Sequence, residues 1–117
     1  MKHPQKLNSS EIEQIQQLKG QLSGLLEPDF SSLVLSSVAG TRTSNSRYHC
    51  AIFTAEKLSL VERSSKQSTT FEFNFGTETL ETDAVIDPGI VVGTFTQKLS
   101  ELIQKAQTGK ATLKKNH

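Results

Sequence analysis

Polar and apolar positions alternate without a break from Thr69 to Phe75. Thr69, Phe71, Phe73 and Phe75 fall on one side of the extended chain, and Thr70, Glu72 and Asn74 on the other. A period of two over seven residues predicts a strand with one buried face. Three of the chain's six phenylalanines lie on that face. A large apolar surface therefore needs covering, and the segments at either end of the chain have the pattern to do it.

Near the N-terminus, Ile12, Ile15, Leu18, Leu22 and Leu25 recur at steps of three and four, the stripe of an amphipathic helix. Ser10-Glu11-Ile12-Glu13 has capping-box spacing and predicts a start at Ser10. Pro28 predicts an end near Leu26, because the residue before a proline avoids helical geometry. Gly20 and Gly24 share one helix face. They are candidates for a packing notch against the sheet, or for a close helix–helix contact in a dimer. Toward the C-terminus, Val92, Phe95, Leu99, Leu102 and Ala106 form a second stripe, with Ile103 beside it. Its start is open between Asp87-Pro88, a cap followed by a first-turn proline, and the capping-box spacing of Thr94–Gln97. Gly109 is a natural stop.

Between the helices the pattern is strand-like. Phe30–Ala39, Tyr48–Thr54 and Leu58–Arg63 precede the phenylalanine strand, and Thr79–Ile86 follows it. A helix over 55–66 competes for the third segment, but Ser59, Ser64 and Ser65 are poor helix formers. Short polar turns join these segments, so sequence neighbours pair and a meander is the expected topology. The predicted fold class is α+β: an N-terminal helix, an antiparallel meander of four to five strands and a C-terminal helix, both helices on the phenylalanine face. Residues 1–8 read as a disordered N-terminus, 9–109 as a single domain, and 110–117 as a basic flexible tail.

Composition narrows the class. At 117 residues the chain suits one domain that needs no metal or disulfide staple. Apolar residues make up 34%, above the level that signals disorder. The single cysteine, Cys50, excludes an internal disulfide and fits a reducing, cytoplasmic setting. No apolar run has the length of a membrane span.

The search for chemistry yields little. His49 and Cys50 are adjacent, but neighbouring strand residues project to opposite faces and cannot form a nucleophile–base pair. The expectation is a buried Cys50 acting as a small apolar residue, with His49 on the polar face. No histidine pair has metal-ligand spacing, and no glycine-rich loop is placed to cradle a phosphate. No catalytic, cofactor or metal residue is therefore assigned, and an enzyme is the less favoured reading. Glu81 and Asp83 share a strand face, but nothing builds an acid-pair cleft around them.

Charge segregation is the most informative feature. From Gln67 to Gln97 there is no Lys or Arg, while Glu72, Glu78, Glu81, Asp83 and Asp87 are present. Arg42, Arg47, Arg63 and Lys66 precede this stretch, and lysines follow it. Arg63 and Lys66 are expected near Glu72 across a turn. Arg42, Arg47, Arg63, Lys66, Glu72, Glu81 and Asp83 form the candidate partner surface. The favoured class is a small non-enzymatic interaction module, a homodimer or part of a complex, with no cofactor and no membrane partner. Two alternatives remain: a nucleic-acid binder using Arg42, Arg47 and the C-terminal lysines, and a ligand-binding domain with a pocket between helix and sheet near Tyr48 and Cys50.

Overall fold

A computed structural model describes residues 4–23, 32–39, 47–63 and 67–116. The fold is α+β. Helix α1 spans Ser9–Ser23 and helix α2 spans Val91–Gln107. The strands are β1 (Gln5–Lys6), β2 (Ser32–Ala39), β3 (Arg47–Thr54), β4 (Lys57–Arg63), β5 (Ser68–Asn74), β6 (Thr79–Thr82) and β7 (Thr112–Asn116). They form one antiparallel sheet in the order β1-β6-β5-β4-β3-β2-β7. Strands β2 to β6 are the expected five-strand meander. The third segment is a strand, not a helix.

Two strands exceed the expected number, and both come from stretches whose composition reads as loose. Strand β1 lies against β6, and β7 against β2. The second has a clear local cause. Gly109 takes a left-handed φ of 77° just past α2. Its N–H donates to the Ala106 carbonyl at 3.3 Å, and the Lys110 N–H donates to the Lys105 carbonyl at 2.7 Å. This is the paired bonding of a glycine-terminated helix, and it turns the chain back along β2.

Helix α1 is capped two residues earlier than Ser10. The Glu11 N–H donates to Asn8 Oδ1 at 2.9 Å, and the Asn8 N–H donates to Glu11 Oε1 at 2.9 Å. Asn8 and Glu11 have the same spacing as Ser10 and Glu13. They prevail because Leu7, just before the cap, is buried in the core cluster with Ile12 packed against it, which fixes the entry angle of the chain. Asn8→Ala is expected to cost about 1 kcal/mol in chemical denaturation, and Ser10→Ala much less. The reverse order would return the cap to Ser10. The end of α1 expected near Leu26, and Gly24, lie outside the described residues.

At the other helix, the Asp87-Pro88 start is the one used. Asp87 Oδ1 accepts from the Gly89 N–H at 2.8 Å, Pro88–Ile90 form a 3-10 turn, and α2 continues from it. Thr94 is therefore an interior helical residue.

Strand β6 ends at Thr82, short of the expected Ile86. Asp83 Oδ1 accepts from the Thr70 N–H at 2.7 Å, and the Thr82 hydroxyl donates to the Thr70 carbonyl at 2.9 Å. The Asp83 N–H also donates to the Thr70 carbonyl at 3.3 Å, and the regular ladder ends at this pair.

Both helices lie on one sheet face. Leu33, Leu35, Ala51, Phe53, Leu58, Leu60, Phe71, Phe73 and Leu80 point toward Ile15, Leu18 and Leu22 of α1 and Val92, Phe95, Leu99, Leu102 and Ile103 of α2. The Phe71 and Phe95 rings meet across the layers at 6.0 Å. Phe75 closes one end of this face. Its ring sits edge-on to Phe73 at 5.4 Å, and the Lys19 ammonium lies 4.4 Å from its centre.

Candidate functional site

The face away from the helices carries the residues singled out by charge. Register sets one row across it: Val34 opposite Ile52, Ile52 opposite Ser59, Ser59 opposite Glu72, and Glu72 opposite Glu81. A parallel row holds Ser36, Cys50, Val61 and Thr70. Over β2–β4 the face thus sets Val34, Ile52, Cys50 and Val61 among serines, and over β5 and β6 it is acidic. Ile52, on an interior strand, is 37% exposed. Val34 and Val61 are half-buried beside it.

Glu72 and Glu81 stand directly opposite each other, which like charges disfavour. Lys57 relieves this, its Nζ lying 3.3 Å from Glu72 Oε1. Both partners are exposed enough that the pair is worth under about 1 kcal/mol. Lys57, Glu72, Asn74, Thr79 and Glu81 line a cavity of about 360 Å³ on this face, with Pro4 at its edge.

Arg63, expected near Glu72, is not its neighbour. Arg63 pairs with Ser68 at the turn end of the β4–β5 hairpin, while Glu72 lies opposite Ser59 farther along. Arg42 and Lys66 lie outside the described residues, and Arg47 is placed only as the first residue of β3. Glu81 and Asp83 do not converge. Glu81 borders the cavity on the uncovered face, whereas Asp83 borders one of about 310 Å³ with Glu62, Thr69, Thr94 and Lys98. Gly20 faces outward with nothing within 4 Å of a built Cβ, so it is no notch against the sheet.

His49 and Cys50 are separated as strand geometry requires, but their faces are reversed from the expectation. His49 shares the parity of Ala51 and Phe53 and lies on the helix side. Its Nε2 is 3.6 Å from Glu62 Oε2, and the same oxygen accepts from Lys98 Nζ of α2. Cys50 is buried within the uncovered face and stands apart from the core cluster. The expected pocket between helix and sheet beside Cys50 therefore has the wrong side of the sheet. The sequence reading placed the cysteine by its apolar character. The parity of Phe53, the larger residue, decides which face goes inward.

The His49–Glu62–Lys98 group ties the end of the sheet to α2, and its Glu62 and Lys98 border the 310 Å³ cavity. The residue pattern gave no sign of it, because its members come from β3, β4 and α2. Among the described residues no three His, Cys, Asp or Glu side chains gather to hold a metal ion, and no helix is long and apolar enough to cross a membrane. No protein-family model, no curated protein and no solved structure matches this chain.

Proposed function

We propose that this chain is a small non-enzymatic protein–protein interaction module that pairs with a second copy of itself through the uncovered sheet face. The observation that supports this reading is the one-sided fold. A seven-stranded sheet carries both helices on one face, and the other presents Ile52 at 37% exposure beside Val34 and Val61. An apolar band inside an otherwise polar face is the composition of a contact surface. The acidic row beside it suits a directional contact, because charge sets register and partner choice more than affinity.

Light scattering across a concentration series tests the reading. The mass should rise from 12.9 kDa toward twice that value as concentration increases. Ile52→Glu should hold it at the lower value while leaving the far-ultraviolet circular dichroism unchanged. A mass that stays at 12.9 kDa at every concentration would remove the homodimer. A nucleic-acid reading has less support. That reading uses Arg42, Arg47 and the C-terminal lysines, and the uncovered face is acidic over β5 and β6, where Glu72 stands opposite Glu81.

A further inference from the structure

The uncovered face holds a charge imbalance that one copy of the chain leaves standing. Glu72 and Glu81 are directly opposed on β5 and β6. Lys57 relieves this from the Glu72 side alone, and among the described residues Glu81 has no ion pair. The same face carries the converse. Arg63 shares the parity of Lys57, Ser59 and Val61 on β4, is exposed, and has no ion pair among the described residues. Within one chain it lies two strands and four residues away from Glu81, about 17 Å, too far to reach it.

Register places both charges relative to Ile52, the exposed apolar residue of this face. Glu81 stands in the same row as Ile52, three strands away through Glu72 and Ser59. At about 4.8 Å per strand, that is about 14 Å. Arg63 lies on the adjacent strand, four residues beyond Ser59, which is opposite Ile52. At about 3.4 Å per residue along the strand, its distance from Ile52 is also about 14 Å. When two copies of a sheet meet face to face symmetrically, the two-fold axis runs in the plane between them. A residue on that axis meets its own counterpart, and two residues equally far from it can be brought opposite each other across the contact.

We propose, given self-pairing through this face, that the two-fold axis passes through Ile52 and seats Arg63 of each chain on the Glu72–Glu81 pair of the other. The axis runs from Ile52 toward Thr70, halfway between the directions of Arg63 and Glu81. Strands of the two copies cross steeply, toward the orthogonal class of sheet packing. Each guanidinium offers donors in a planar fork and serves two neighbouring carboxylates. The like-charge opposition within one chain is thereby neutralised by the other, twice over. Ile52 against its counterpart forms the apolar centre, and the two charge clusters form the rim that fixes how the copies are turned.

Light scattering on the full chain at low salt tests this with the parent, Arg63→Glu, Glu81→Arg, and an equimolar mixture of the two variants. Each variant alone sets like charges against each other at both contacts and should weaken self-association about tenfold or more. The mixture restores opposite charges at both contacts, so it should recover the parent's affinity as a heterodimer. Circular dichroism should show all chains folded alike, since both sites lie at the surface. A dimeric parent that neither reversal weakens, or weakened variants that mixing does not rescue, would overturn this pairing while leaving self-association through Ile52 intact. A parent that is monomeric at every concentration would overturn both.

Discussion

Phe73→Ala is expected to lower the unfolding free energy by about 3–5 kcal/mol, the range for truncating a buried aromatic residue. Phe73 is fully buried, between Leu58 and Leu80 on the neighbouring strands. Its loss also removes the edge contact that holds Phe75, and with it the ring beneath Lys19 and beside Phe53. A domain of this size has about 5–15 kcal/mol in total, so the variant would retain a fraction of its stability. The chain has no tryptophan and one tyrosine, so circular dichroism in urea is the suitable measurement. Phe73→Leu should lose much less, because it keeps most of the volume. An alanine variant that loses under about 1 kcal/mol would place the ring outside the core.

Leu99→Asp should be more damaging still. Leu99 is fully buried on α2 and faces the sheet with Phe95, Leu102 and Ile103. A carboxylate there is surrounded by apolar side chains, and burying it costs several kcal/mol, comparable to the whole stability. The cooperative unfolding transition should be lost at neutral pH. The direction with pH is also fixed. Burial raises the carboxyl's pKa in the folded chain above its unfolded value, so the folded state holds the proton more tightly. Raising pH through that window favours the unfolded chain, and the variant should be most stable in acid. Gln104→Asp, on the exposed side of the same helix, should stay within about 0.5 kcal/mol of the parent. Equal damage from both would mean that α2 does not lie on the sheet as described.

These two expectations rest on the part of the fold most legible in the sequence. The alternation of Thr69–Phe75 and the stripe through Phe95 and Leu99 are long, regular and carried by large residues, so burial leaves one solution. The sequence is ambiguous where short-range signals compete. Asn8–Glu11 and Ser10–Glu13 offer the same cap, and only the burial of Leu7 separates them. The strand at Thr112–Asn116 is set by the reversal at Gly109 and by the free flank of β2, neither of which appears in its own lysine-rich composition.

The site was less legible, for a related reason. Glu72 was recognised as an acid on a polar face, but its cationic neighbour is set by register, which selects Lys57 over Arg63. The group of His49, Glu62 and Lys98 needs three elements to be in place first. Ile52 belongs to a strand that carries apolar residues on both sides. That it stays open to solvent depends on both helices choosing the other face.

The meander has a further consequence for how the molecule assembles. Its five inner strands are neighbours in sequence as well as in the sheet, so their pairing needs little chain closure. The two flanking ribbons recruit partners from far along the sequence and must close long loops. The meander is therefore expected to close before the two flanking ribbons dock. Until they dock, the outer edges of β2 and β6 are the unpaired borders of the sheet, open to pairing with another chain.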